Sequence, residues 1–180
     1  MKLTSNEQNQ LAALERRQSE LRNFVLEHPR PASDGSLSEW MAFLGAIKAI
    51  TGNASNDLSF IATLLAKEYL CTALDMEPFD AALKPQGAPG LDIDERTRTG
   101  ERVVAEIKTT VPYLATDLGA AQKATFRKDF RKLQLAEAPY KFFFLTDPRA
   151  YEVVIRKYET DLAGVSVVLL SSDIPSGSSA

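Results

Sequence analysis

Four charged residues in the middle of the chain stand at alternating positions of two short segments: Asp92, Asp94, Glu106 and Lys108. Successive side chains of a β-strand point to opposite faces, so Glu106 and Lys108 share one face while Ile107 points into the core. The same alternation gives Asp92 and Asp94 a common face in the preceding segment. A glycine-containing turn sequence separates the two segments, which predicts that they pair as a β-hairpin.

The register of this hairpin follows from its turn. A three-residue loop that ends with Gly100 in the left-handed conformation is a common connection between antiparallel strands. This loop places Asp92 opposite Glu106 and Asp94 opposite Val104, with directly opposed Cβ atoms about 4.5–5.5 Å apart. Two carboxylates at that distance repel each other unless a divalent cation lies between them. Asp92 and Glu106 are therefore the candidate metal ligands, and Asp94 is the alternative to Asp92.

Such a pair of carboxylates beside a lysine suits the hydrolysis of a phosphodiester bond. Mg²⁺ binds one or two carboxylates in proteins and fills its other positions with waters and phosphate oxygens. The metal polarises the phosphoryl group and lowers the pKa of a bound water. Lys108, next to this pair, can orient the water and neutralise the charge that develops. We expect Mg²⁺ as the cofactor, with at most two ions per site.

Asp92, followed by a hairpin and then Glu106-Ile107-Lys108, resembles the motif of the PD-(D/E)xK nuclease superfamily, which includes most type II restriction endonucleases. Leu91 stands where the family often has proline. The resemblance extends over roughly 58–170 and implies an α-β-β-β-α-β core. It implies that Asp92 and Glu106 hold the metal and that Lys108 is the third catalytic residue.

Two predicted helices flank the hairpin and add candidate residues. The first carries Glu68 where the family often has an accessory acid, so Glu68 is either a metal ligand or a surface acid. The second is basic, and its Lys123, Arg127 and Arg131 recur at every fourth residue. Such a stripe of like charge repels itself unless an anion binds. With Gln122, which is similar to the glutamine of some family members, these three form the expected nucleic-acid-binding set; solvated surface charge is the alternative.

The elements that position these residues follow from hydrophobic periodicity and from capping residues. The pattern predicts an α/β domain in which helices flank a mixed β-sheet, a restriction-endonuclease-like core with an N-terminal helical extension. The extension covers 1–52, the catalytic core 56–170 and a flexible tail 171–180. Helices are predicted at 5–27, 37–50, 56–76, 117–136 and 148–158, the β-hairpin within 90–110, and further strands at 141–147 and 164–170. Ser5 is the expected N-cap of the first helix, and Ser36 or Ser38 that of the second.

The composition excludes several other classes of protein. The chain has 180 residues, 44% of them hydrophobic, and a net charge of −3, which is ordinary for one globular domain. One cysteine and one histidine are too few ligands for a zinc site built from Cys and His. The same count argues against Ser-His-Asp or Cys-His catalysis of the usual kind. No apolar run approaches the roughly 18 residues of a membrane span. We therefore expect a soluble, cytoplasmic protein.

These observations lead us to expect a Mg²⁺-dependent endonuclease that cuts double-stranded DNA, and specifically a type II restriction endonuclease. Cutting both strands of a palindrome requires two sites related by a two-fold axis, which favours a homodimer. The amphipathic first helix either pairs the two subunits or covers the sheet. The alternatives are a repair, recombination or mobile-element nuclease of the same fold, and a catalytically silent DNA-binding module.

Overall fold

A computed structural model describes residues 2–84, 87–114 and 116–170. The elements follow the predicted order, with bounds that differ from the predicted ones by about three residues or fewer. They are α1 (Ser5–Glu27), α2 (Leu37–Thr51), α3 (Ala54–Ala73), β1 (Ile93–Arg96), β2 (Arg102–Lys108), α4 (Ala120–Leu135), β3 (Tyr140–Leu145), α5 (Pro148–Lys157), a 3₁₀ turn (Thr160–Leu162) and β4 (Ser166–Leu169). The predicted tail, 171–180, lies outside the described residues. In the described part of the chain, no helix has the length and apolar character needed to span a bilayer.

The four strands form one mixed sheet in the order β1-β2-β3-β4. β1 and β2 are antiparallel, whereas β2 pairs with β3 and β3 with β4 in parallel. A mixed sheet flanked by helices is confirmed. Between α3 and α4 the described residues form two strands, one fewer than the α-β-β-β-α-β order implied by the resemblance.

β3 explains why the sheet needs a helical layer on each side. Its run of aromatic residues is buried on both faces, as its continuous apolar sequence predicts. Phe143 packs on one face against Phe126 and Phe130 of α4. On the other face, Phe142 and Phe144 lie against α3. The core therefore has two layers, one between the sheet and α3 and the other between the sheet and α4 with α5.

The N-terminal helices differ in one detail from the prediction. Thr4, not Ser5, caps α1, because its hydroxyl accepts from the backbone N–H of Glu7 while the Glu7 side chain accepts from that of Thr4. Ser36 caps α2 in the same reciprocal way. α2 packs along α1, and none of its residues is fully buried.

A buried ion pair fastens α1 to the core. Both Glu7 carboxylate oxygens accept from the Lys67 ammonium of α3, at 2.7 and 2.8 Å, and both side chains are fully buried. Glu7 also accepts from the backbone N–H of Ala81, in the connection between α3 and β1. One carboxylate thus joins α1, α3 and that connection.

Candidate functional site

The hairpin has the register predicted from its turn. Asp94 lies opposite Val104 and Ile93 opposite Ala105, and Gly100 has a φ of +89°. Continued by one residue, this pairing brings Asp92 beside Glu106. β1 begins only at Ile93, so a side-chain oxygen of Asp92 accepts the Ile107 N–H, at 2.8 Å.

Glu106 is buried under α4. Its side chain is 2% exposed, and its Oε1 accepts a hydrogen bond from the Lys132 ammonium at 2.9 Å. The same ammonium contacts Asp129 at 2.9 Å and donates to the Gly90 carbonyl oxygen at 3.1 Å. Lys132 therefore links the β2 carboxylate, a second carboxylate on α4 and the backbone just before Asp92.

Lys108 completes an alternating series of charges. Its ammonium contacts the other Asp129 oxygen, and the Asp129 side chain is only 5% exposed. We name Glu106, Lys132, Asp129 and Lys108, in that order of contact, the acid–lysine cluster. Asp129 and Lys132 were not predicted as site residues. The sequence feature that could have indicated this cluster is Asp129 itself, which is the one acid among the five basic residues of 123–132.

The two carboxylates that face each other across the hairpin affect one another electrostatically. Burial and, next, the negative charge of Asp92 raise the pKa of Glu106 to about 8, although the hydrogen bond from Lys132 acts in the opposite direction. Burial disfavours the charged form of Lys132, but its hydrogen bonds to Glu106 and Asp129 raise its pKa to about 12. Lys132 is therefore charged at neutral pH, whereas the raised pKa of Glu106 favours its protonated form there.

The donor atoms of Asp92 and Glu106 fit Mg²⁺. Their hydrogen bonds within the described chain use Oδ2 of Asp92 and Oε1 of Glu106, which leaves one oxygen of each carboxylate for a cation. The described residues contain no cluster of three or more His, Cys, Asp or Glu side chains arranged to hold a metal. An ion here would therefore use two carboxylates and complete its shell with water and phosphate oxygens, as Mg²⁺ commonly does.

Two other predicted acids lie apart from this pair. Glu68 is exposed on α3, and at 3.6 residues per turn it lies about 140° around that helix from Thr63, which faces the hairpin end. The structure therefore does not bring Glu68 together with Asp92 and Glu106. Asp94 is engaged elsewhere, since both of its oxygens accept from the Arg102 guanidinium, at 2.8 and 2.7 Å.

The basic stripe of α4 is divided between two environments. Lys123 pairs with Asp117 at 2.8 Å, and Lys157 contacts the same carboxylate. Arg127 and Arg131 are exposed and border a shallow cavity of about 520 Å³ beside the 3₁₀ turn. At 3.6 residues per turn, Arg127 lies about 160° around α4 from Asp129. The stripe therefore faces away from the acid–lysine cluster.

Gln122 has a structural role in the connection between β2 and α4 that its sequence context does not indicate. Its side chain is buried, its oxygen accepts from the backbone N–H groups of Tyr113 and Gly119, and its nitrogen donates to the Val111 carbonyl. These three bonds fold the segment between β2 and α4. The amide therefore already has three partners in the protein's own backbone, and binding of nucleic acid by Gln122 stays a prediction.

A polar cleft of about 240 Å³ opens next to Asp92 and Lys108, between the end of β2 and the first turns of α3. Asp92 and Lys108 reach solvent through this cleft, whereas Glu106 does not line it and is buried under α4.

No protein-family model, curated protein or solved structure matches the chain.

Proposed function

We propose that the protein is a Mg²⁺-dependent endonuclease that hydrolyses phosphodiester bonds in double-stranded DNA, in the manner of a type II restriction endonuclease. The observation that carries this proposal is the placement of Asp92, Glu106 and Lys108 at one end of the hairpin, in the register expected for this motif. Asp92 and Lys108 also line the polar cleft at the end of β2, through which a substrate could reach them.

Each residue then has a defined task. Asp92 and Glu106 would hold Mg²⁺, which supplies Lewis-acid activation of the phosphate and of a water. Lys108 would orient the attacking water and offset the negative charge of the transition state. Asp129 holds the Lys108 ammonium, and Lys132 holds the Glu106 carboxylate. These two α4 residues are positioning residues, since they touch the catalytic groups and not the substrate.

A homodimer is part of the proposal, because one such site cuts one strand. The exposed face of α2 supports it: Leu37, Met41 and Leu44 are 88%, 73% and 54% exposed and are spaced four and three residues apart. That spacing is the one by which two helices pack along a common seam. The opposite face of α2 already packs on α1. We propose that a second copy of this chain covers the exposed seam.

The test of the proposed function is incubation of supercoiled plasmid with the full chain and Mg²⁺, beside the Lys108→Ala variant. Discrete linear fragments indicate cutting at defined sequences, and end sequencing then gives the site. A smear indicates a nuclease without sequence specificity, such as a repair or mobile-element enzyme of the same fold. Cutting by wild type that is lost in Lys108→Ala supports the assignment.

One observation favours a second candidate, a DNA-binding module without catalysis. In the acid–lysine cluster both acidic side chains already have a lysine partner, because Lys132 lies between Glu106 and Asp129 and Asp129 contacts Lys108. These contacts hold the side chains in place without a metal. Binding of DNA in a gel-shift assay, with intact plasmid after long incubation in Mg²⁺ and in Mn²⁺, would favour this alternative.

A further inference from the structure

The polar cleft beside the hairpin is lined mainly by residues that are not among the predicted site residues. Hydroxyl groups come from Ser59 and Thr63 on α3 and from Thr109 and Thr110 after β2. Two lysines, Lys84 and Lys108, border the same space, and Asp92 is the one acid among its lining residues. Neutral and cationic donors therefore surround a cleft whose single carboxylate belongs to the proposed metal pair.

Lys84 is held at the cleft by the backbone. Its ammonium donates to the Leu91 carbonyl oxygen, the residue directly before Asp92. Gly90 lies beneath the same ammonium, since a Cβ added at Gly90 would be 3.6 Å from the Lys84 Nζ. Lys132 donates to the Gly90 carbonyl from the other side. Two ammonium groups thus flank the short segment that leads into Asp92.

The α3 hydroxyls occupy the helix side of the cleft. Thr63 is nearly buried, and its hydroxyl donates to the Ser59 carbonyl, so its proton is not available to a phosphate. Ser59 is half-buried and lies one turn nearer the helix start. These are the α3 side chains that face the hairpin end, in contrast to Glu68. On this side of the cleft, α3 therefore presents hydroxyl groups. A second metal ion would require carboxylates there.

This combination of groups matches a phosphate. Phosphate oxygens accept from ammonium, hydroxyl and backbone N–H groups, and such contacts fix the position of a nucleic-acid strand without reading its sequence. A cleft of about 240 Å³ holds a phosphate group with several waters, since one water takes about 30 Å³ of liquid. An apolar ligand would displace water from the seven polar side chains of the lining without replacing its hydrogen bonds.

We propose that this cleft is a phosphate subsite for one DNA strand, in which Lys84 and Ser59 contact the phosphate next to the one held at Asp92 and Glu106. The proposal deepens the proposed function and rests on it for the identity of the strand. It also replaces the α4 stripe as the principal phosphate contact. Arg127 and Arg131 lie on the far side of α4 from the carboxylate pair, whereas Lys84 lies beside it.

The test measures DNA binding rather than cutting, so that it does not depend on catalysis. Fluorescence anisotropy with a short fluorescein-labelled DNA duplex in EDTA gives Kd for wild type and for the Lys84→Gln, Ser59→Ala and Lys48→Gln variants. Lys48 is the matched control, because it is an exposed lysine of α2 that does not line the cleft. Arg127→Gln reports on the α4 stripe in the same assay.

We expect Lys84→Gln to raise Kd about threefold to tenfold and to lower the slope of log K against log salt by about 0.9, the value for one lost phosphate contact. Ser59→Ala removes a neutral donor, so it should raise Kd about twofold to fivefold without changing the slope. Lys48→Gln should match wild type, and Arg127→Gln should have a smaller effect than Lys84→Gln.

Several outcomes overturn the subsite. Wild-type Kd and slope in Lys84→Gln would do so, as would a loss in Arg127→Gln that exceeds the loss in Lys84→Gln. An equal loss in Lys48→Gln would show that only net charge matters. This test can fail separately from the test of the proposed function. If DNA binding depends on Lys84 but the chain never cuts DNA, the phosphate subsite is supported and the nuclease proposal is wrong. If the chain cuts plasmid but Lys84→Gln leaves Kd unchanged, the nuclease proposal is supported and the subsite is wrong.

Discussion

The carboxylate of Asp92 accepts a hydrogen bond from the backbone N–H of Ile107, at 2.8 Å, between the two residues whose side chains turn toward α4. The acid is therefore attached to the same stretch of β2 that carries Glu106 and Lys108. Any change that shifts β2 shifts Asp92 with it. This connection keeps the proposed ligands in one geometry even though Asp92 itself lies before the start of β1.

Asp92→Asn should abolish cleavage, because it removes one of the two charges that hold the metal. An amide oxygen still accepts the Ile107 N–H, so the hairpin should stay folded. DNA binding should persist or tighten, since a negative charge near the phosphate is lost. Plasmid nicking and anisotropy measure the two properties separately.

Asp94→Asn is the matched control for this variant. Its carboxylate binds Arg102 and faces Val104, so substantial cleavage activity should remain. An inactive Asp94→Asn beside an active Asp92→Asn would contradict the assignment of the ligand. It would leave the nuclease proposal intact.

Cleavage should require Mg²⁺ or Mn²⁺. Ca²⁺ is larger and accepts less regular geometry, so it should support DNA binding with little cutting. The assay is a metal titration of plasmid cleavage after dialysis against EDTA. Full activity in excess EDTA would exclude the metal mechanism.

Glu106 should make the metal-free protein less stable as pH rises. Its pKa is about 8 in the folded chain against an ordinary 4.5, so the folded state binds this proton more tightly than the unfolded state. Its contribution to the free energy of unfolding is therefore fully present below about pH 4.5 and is lost as pH rises toward and through about pH 8.

Glu106→Gln removes this dependence and should exceed wild type in stability by roughly 1–3 kcal/mol above about pH 8, given about 1.4 kcal/mol per pKa unit. Urea unfolding in EDTA across this range measures the difference. Glu152→Gln, at an exposed position of α5, serves as the control. A difference between wild type and Glu106→Gln that does not change with pH would refute the prediction.

Lys67→Met should destabilise the fold by about 3–5 kcal/mol, because it leaves the buried Glu7 carboxylate without its cation. The double variant Glu7→Gln/Lys67→Met should recover part of that loss, since no buried charge then remains unpaired. Chemical unfolding of the two single variants and the double variant forms a double-mutant cycle. Additive losses would show that the two groups do not interact.

The proposed homodimer should sediment at about twice the 19.8 kDa of the chain, at least with DNA present. Met41→Glu combined with Leu44→Glu places charges on the exposed seam of α2 and should yield monomers that remain folded. Sedimentation velocity and circular dichroism test both statements. A wild-type monomer that still makes double-strand breaks would remove the dimer from the proposal.

The hairpin could be predicted from sequence because its determinants are local. Gly100 sets the turn, the turn sets the register, and the register brings Asp92 beside Glu106. Asp129 could not be predicted in the same way. Its position beside Lys108 depends on how α4 packs over β2, and no period in the sequence encodes that distance.

The same limit applies to the orientation of the basic residues of α4. A helical repeat shows that Lys123, Arg127 and Arg131 share a face, but it does not show which way that face turns. Packing of Phe126 and Phe130 against the sheet decides the orientation and turns the stripe outward. Likewise, the 20-residue apolar pattern of α3 does not indicate that Lys67 is buried in an ion pair, because its partner Glu7 lies 60 positions earlier in the chain.

The bond from Ala81 to Glu7 has a consequence for how the chain can be shortened or fused. Ala81 lines the polar cleft, and its N–H is held at 2.7 Å by a carboxylate in the first turn of α1. A variant trimmed to begin at α3 would retain Asp92, Glu106 and Lys108. It would lose the hydrogen bond between Glu7 and Ala81 that holds one side of the cleft. The opening helix is thus a structural part of the site, and a tag that frays its first turn would change the shape of a surface that lies 74 positions further along the chain.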